Sequence, residues 1–266
     1  MSTAGLHTTE LGEQGPRLVF CHGLFGQGKN WTQVAREFEG DHRVVLVDMP
    51  DHGRSEWTER FDYVEMADRV AELLSADDPA VLVGHSMGGK AVMILALRHP
   101  ELVERLCVVD VAPVPYREGG GGLFARFIDG MLELDLDAIE RRSDADEALQ
   151  EAVPDARIRG FLLQNLRRSS GDRGGWRWQL NLELLREGLE DLGGWPGEEL
   201  AGLPPYEGPV LWMRGEESGY VRDEHAEAMD ELFPRNRRVT IKQAGHWVHS
   251  EQPEVFVEVL RRFLAA

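Results

Sequence analysis

Cysteine is scarce in this 266-residue chain: Cys21 and Cys107, each inside an apolar run, are the full complement. Two such thiols read as buried side chains, exclude a disulfide framework and point to a reducing, cytoplasmic setting. Long hydrophobic runs are missing too, and none approaches the ~18–20 apolar residues of a membrane span. Met1 to Gly15 hold no basic patch and no apolar stretch, so no secretory leader is expected. Positive charge is in short supply: 29 Lys and Arg face 47 Asp and Glu, a formal net charge of -18. That field repels phosphate backbones and anionic bilayers, which argues against nucleic-acid and membrane partners. Lysine stands only at Lys29, Lys90 and Lys242. No Cys/His cluster has metal-ligand spacing and no phosphate-cradling G-x-x-x-x-G-K occurs, so neither metal nor cofactor is expected.

What is present is apolar residue in quantity, 42% of the chain, spread along its length. This excludes global disorder and suffices for one large core. Leu18–Cys21, Val44–Val47, Val81–Val83 and Leu106–Val109 are short β-branched runs, as strands buried on both faces require. Helical spacings separate them at Trp31–Phe38, Tyr63–Leu74 and Met87–Arg98. Strand–helix alternation predicts an α/β protein with a doubly wound, mostly parallel sheet. Alternation stops at Pro113 and the Gly119–Gly122 run, a candidate hinge, and Leu123–Leu192 reads almost wholly as helix with no strand run. It resumes after Pro204-Pro205 with strands at Val210–Met213 and Arg238–Ile241 and helices at Asp223–Leu232 and Pro253–Leu264. Residues 1–112 and 204–266 are thus expected to form the core, and 113–203 a helical cap that lies over a ligand site.

Ligands of open α/β sheets bind outside the carboxyl ends of the strands. Those ends carry His22-Gly-Leu-Phe-Gly26, Asp48 to Ser55, Gly84-His-Ser-Met-Gly-Gly89, Asp110, Arg214-Gly-Glu-Glu217 and Gly245-His-Trp-Val-His249. Gly84-His-Ser-Met-Gly88 fits the nucleophile elbow G-x-S-x-G in the required place, after a buried strand and at the start of a helix. A turn that sharp brings backbones together and needs small flanking residues. It lifts Ser86 above the sheet and aims the Met87 N–H at a reacting oxygen.

With His22-Gly23, Asp48, Gly53-Arg-Ser55, the elbow and Gly245-His246 in this order, the chain resembles the α/β-hydrolase family over its whole length. Gly84–Gly89, Val109-Asp-Val-Ala-Pro113 and Gly245–His249 most resemble small bacterial esterases of the YbfF type, which act on short acyl esters and thioesters. The resemblance places the cap after the sixth strand of the family's count. It also implies the chain order nucleophile, acid, histidine. His99, His225, His246 and His249 follow Ser86. His99 suits a helix end, His225 a solvated helix face, and His249 a cavity wall or a hydrogen-bonded structural role. His246, in a glycine-containing turn after the last strand, is the expected base. His22 and His85 read as structural supports. Most of the family carries its acid after the seventh strand, where Ser218 stands here. Asp110 at the end of the sixth strand is the candidate acid, with Glu216 and Glu217 as alternatives. Leu24, directly after His22-Gly23, is the expected second oxyanion donor beside Met87, with Phe25 as the alternative. Asp48, Asp51 and Arg54 are expected to tie their loop together. Trp31, Trp176, Trp178 and Trp247 are candidates for an apolar acyl pocket and suit plain core equally.

The implied function is serine-dependent hydrolysis of small-molecule carboxylic esters or acyl thioesters. A C–C bond hydrolase or a cofactor-free perhydrolase would use the same triad. A non-catalytic ligand-binding protein on this fold is the reading from another class. Epoxide hydrolases and dehalogenases need aspartate where Ser86 stands.

Overall fold

Consecutive β-branched residues fit a pleated surface covered on both sides, and each apolar run is a strand. The computed structural model describes residues 5–116, 121–169 and 175–266. The strands are β1 (Thr8–Leu11), β2 (Arg17–Cys21), β3 (Arg43–Val47), β4 (Ala80–His85), β5 (Val103–Val109), β6 (Leu166–Arg168), β7 (Trp176–Trp178), β8 (Val210–Gly215) and β9 (Asn236–Ile241). The helices are α1 (Thr32–Arg36), α2 (Tyr63–Ala71), α3 (Met87–Arg98), α4 (Gly121–Leu132), α5 (Arg142–Ala148), α6 (Ala156–Leu163), α7 (Leu182–Glu187), α8 (Leu189–Gly193), α9 (Ala226–Leu232), α10 (Val248–Glu251) and α11 (Pro253–Leu264).

The main sheet runs β1-β3-β2-β4-β5-β8-β9, parallel throughout except where β1 pairs with β3. The expected α/β architecture is therefore present. β1 is the strand of the main sheet with no signature in the sequence: Thr8-Thr-Glu-Leu11 lies half exposed at the sheet edge and needs no apolar alternation. Side-chain alternation divides the core into two layers. Val19, Cys21, Leu82 and Val108 pack with α2 and α3, whereas Leu18, Phe20, Val81 and Cys107 pack with α1 and α11. Each such burial contributes about 1.5–3 kcal/mol. Met87 to Leu97 of α3 are all buried, so the helix that starts at the elbow is held on every side.

The chain leaves the sheet after β5, passes through α4–α8, and rejoins it at β8. This insertion is not purely helical. Leu166-Arg-Arg168 and Trp176-Arg-Trp178 form an antiparallel hairpin, too short and too charged to stand out as strands in the sequence. Of the expected hinge, Gly119 and Gly120 lie outside the described residues, and Gly121 and Gly122 open α4. Asn181 ties the insertion to the core: its N–H meets the Asp51 carbonyl at 3.0 Å and its Nδ2 the Asp51 carboxylate at 2.9 Å. Among the described residues no helix is long and apolar enough to cross a membrane.

Candidate active site

Between β4 and α3, Ser86 alone reverses the chain, at φ 52° and ψ -117°. L side chains hold this region only under constraint. Glycines supply the room. A Cβ on Gly84 would fall 2.4 Å from the Gly88 carbonyl oxygen, and one on Gly88 would fall 2.5 Å from that of His22. The Ser86 N–H donates to Val109 O at 3.0 Å, fixing the turn to the end of β5. Ser86 is half-buried and lines a cavity of about 980 Å³ at the carboxyl edge of the sheet.

Asp110 follows β5 with φ 52° and is wholly buried. Its Oδ2 accepts from His246 Nδ1 at 2.7 Å and from the Ser218 hydroxyl, and its Oδ1 accepts from Gly215 N at 3.1 Å. The serine standing where the family's usual acid would be is therefore a donor to the carboxylate on the neighbouring strand. Glu216 and Glu217 are exposed, and the Glu216 carboxylate accepts from Gln243 N at 3.2 Å; neither meets His246. A proton on His246 Nδ1 facing Asp110 leaves Nε2 as the acceptor. Tyr220 stacks on the His246 ring at 4.2 Å, and the His85 ring lies 4.6 Å away. Tyr116 fixes that clamp by donating to the Tyr220 carbonyl at 2.7 Å while accepting from Ala112 N at 2.7 Å.

The remaining histidines sort by their partners. His85 supports the site by bonding the His246 carbonyl through Nε2 at 2.8 Å. His22 joins two loops, Nδ1 to Gly23 O at 2.8 Å and Nε2 to Met49 N at 2.9 Å. Burial pushes His22 and His249 down to about 3 and His85 well below the usual histidine range. The rings beside His246 thus stay neutral and add no like charge. His249 differs from both roles expected of it. It stacks on Trp31 at 4.0 Å in the α1–α11 layer, and its Nδ1 is buried without a hydrogen-bond partner among the described residues. His225 is buried, not solvated, and its Nδ1 accepts from Arg222 N at 3.3 Å. His99 bonds Asp68 at 3.1 Å at the end of α3.

The His22–Gly26 loop discriminates between its two candidate donors. Phe25, at φ 62°, gives its N–H to His52 Nε2 at 3.2 Å, and its carbonyl accepts from Asn165 Nδ2 at 2.8 Å. The N–H groups of Leu24 and Met87 have no acceptor among the described residues, and both residues line the cavity with Ser86. Asp48 and Asp51 tie their loop as expected: Asp48 accepts from Gly28 N at 2.7 Å and Arg54 N at 3.0 Å, and Asp51 from Thr58 N at 2.8 Å.

Of the two readings open for Trp31, Trp176, Trp178 and Trp247, the acyl-pocket one fails, because none of them lines the cavity. Trp31 is buried on the far face of the sheet, Trp178 donates to Met131 O at 3.1 Å, Trp176 stays in the hairpin, and Trp247 sits beside His246 at 5.9 Å outside the cavity wall. Tyr63, Tyr116, Trp195, Tyr220 and Lys90 supply the wall instead. Lys90 carries a readable signal, since it lies four residues after Ser86, one helical turn along α3. Among the described residues no group of three or more His, Cys, Asp or Glu could hold a metal ion.

Residues 16–253 match the family model for the alpha/beta hydrolase fold, and the chain belongs to that family. It is 38% identical over 258 residues to the mouse (Mus musculus) sn-1-specific diacylglycerol lipase ABHD11, covering 94% of this chain and 81% of that one. Esterase YbfF of Escherichia coli strain K12 is 31% identical over 249 residues, covering 93% and 92%. A solved structure described as a marine microorganism esterase superposes with a TM-score of 0.91 at 30% identity, covering 97% and 98%.

Proposed function

We propose that this carboxylic ester hydrolase works through an acyl-enzyme formed on Ser86. His246 Nε2 takes the hydroxyl proton as Oγ attacks the acyl carbon. The N–H groups of Leu24 and Met87 receive the oxyanion, the second at the N-terminus of α3. Asp110 orients His246 and stabilises its protonated form. His246 then passes the proton to the departing alcohol or thiol, and water, deprotonated by the same ring, releases the acid. The single observation carrying this reading is the 2.7 Å bond from His246 Nδ1 to buried Asp110, at the strand ends where the elbow turns Ser86 upward. Ser218 and Gly215 fix the orientation of the Asp110 carboxylate by donating to both of its oxygens.

Residues 113–203 act as a lid, and the substrates are small-molecule esters or acyl thioesters in a cytoplasmic setting. The names of the relatives, a diacylglycerol lipase and two esterases, support an ester bond as the target. A fluorophosphonate probe with peptide mapping tests the nucleophile, and a panel tests the bond. That panel holds p-nitrophenyl acetate and butyrate, an acyl thioester, a vinylogous diketone and a peroxide-dependent halogenation assay. The expected result is label on Ser86 and turnover of the esters, both lost in Ser86→Ala. A wild-type protein that resists labelling overturns the mechanism, and turnover of the diketone alone would make it a C–C hydrolase.

A further inference from the structure

Lys90 is bonded through its backbone N–H to Ser86 O at 3.0 Å, and the residue is only 2% exposed. Buried lysines are ordinarily paired with a carboxylate, and among the described residues none pairs with this one. Its ammonium donates to Gly193 O at 2.9 Å and to Gly194 O, between the rings of Tyr116 and Tyr63 at 4.9 and 5.4 Å from Nζ. An ammonium has three protons, and these carbonyls take two. The third has no acceptor among the described residues, and Lys90 lines the same cavity as Ser86, Leu24 and Met87.

The polar groups around it are committed elsewhere. The Tyr63 hydroxyl donates to Leu192 O at 2.8 Å, and that of Tyr116 to Tyr220 O at 2.7 Å. Arg186 pairs with Asp129, Arg222 pairs with Glu224, and Glu190 lies exposed at the outer wall.

We propose that Lys90 is a specificity-determining residue whose third proton selects substrates carrying an oxygen acceptor, keto or carboxylate, remote from the scissile ester bond. This rests on Ser86 being the nucleophile of the same cavity. A plain alkyl chain that reached Lys90 would exclude water and leave a buried charged donor unbonded, whereas an oxygen there completes its coordination. Burial pushes the Lys90 ammonium down to about 7. The neutral amine keeps two protons, both already taken, so the selection is full below that pH and fades above it. The groups facing Lys90 do not confuse this titration. Burial raises the Tyr63 and Tyr116 phenols above the usual range, and the α8 end offers only carbonyls.

The test uses p-nitrophenyl esters of matched acyl length that end in alkyl, in a keto group, or in a free carboxylate. The readout is the kcat/KM ratio of each oxygen-bearing ester to the alkyl ester, in wild type and in Lys90→Met, per fluorophosphonate-labelled Ser86. Lys90→Met should lower the ratio about tenfold or more, the value of a hydrogen bond to a charged group. The ester with the larger dependence on Lys90 tells an anionic from a neutral acceptor. Unchanged ratios in labelled Lys90→Met overturn the proposal and leave the Ser86 mechanism standing; failure of wild type to label sinks the mechanism itself. If Lys90→Met does not fold, wild type decides. Its keto-to-alkyl ratio must fall from about pH 6 to about pH 8.5 as the ammonium deprotonates, and a flat profile overturns the proposal.

Discussion

Replacing Asp110 by asparagine keeps the shape of the side chain and inverts one end of it. Oδ1 accepts from Gly215 N at 3.1 Å, so the amide oxygen of Asn must stay there. Turning the amide would set two donors against each other in a fully buried place, at about 1–3 kcal/mol. The NH2 group then occupies the Oδ2 position, facing His246 Nδ1 and the Ser218 hydroxyl. His246 must accept at Nδ1 and carry its proton on Nε2, the tautomer that cannot take a proton from Ser86. The imidazolium also loses its counter-charge. Together these should lower kcat about 10³–10⁴-fold, or about 4–5.5 kcal/mol of transition-state stabilisation. Steady-state hydrolysis of p-nitrophenyl butyrate measures it, with thermal unfolding to confirm that Asp110→Asn is folded. A folded Asp110→Asn within tenfold of wild type would refute the reasoning, most directly if Glu216→Gln or Glu217→Gln proved the more damaging change.

Ser218→Ala removes one of three donors to Asp110 and leaves its charge, so kcat should fall by about tenfold, measured with the same ester; a loss equal to that of Asp110→Asn would make Ser218 a participant in proton transfer. Gly88→Ala forces a Cβ to 2.5 Å from the His22 carbonyl oxygen. It should cost about 3 kcal/mol or more of stability, read from urea unfolding. His22 and His249 are held down to about 3, so below the ordinary histidine range the unfolded chain binds protons that the native chain refuses. Stability from this source is complete above about pH 6.5 and declines toward pH 3, by about 1.4 kcal/mol per pH unit for each histidine. The urea midpoint should therefore drop between about pH 7.5 and about pH 5, less steeply in His249→Gln, and a midpoint that does not move would refute it.

The elbow was legible because its chemistry is local: a glycine on each side of Ser86 at fixed spacing, after a β-branched run, admits few other structures. Asp110 was legible as a strand end and as the candidate acid for His246, but its other two partners were not, since Ser218 and Gly215 reach it from β8 and the loop after it. For Trp31 both readings stayed open, pocket and plain core, because a large apolar ring suits either, and the packing of the turn Gly28–Trp31 against the α1–α11 side decides for core. His225 was assigned by its charged neighbours Asp223, Glu224 and Glu227, and His249 by its position three residues after His246, whereas the packing of each ring decided its place. Lys90 escaped notice because an isolated lysine reads as solvated. Only the assembled fold brings the Gly193 and Gly194 carbonyls to its ammonium. The β6–β7 hairpin has three residues per strand, too few to display an alternation, although Leu166, Trp176 and Trp178 pack against the core.

Asn165 belongs to the inserted segment, yet its amide holds the Phe25 carbonyl 140 residues earlier in the chain. The insertion is consequently not an interchangeable part. A homologous segment transplanted without an amide at this position would bring intact helices and still release the peptide that shapes the Leu24 corner. Such chimeras should fail in turnover before they change in substrate range. A directed-evolution library would find position 165 intolerant while exposed wall positions such as Glu190 drift freely.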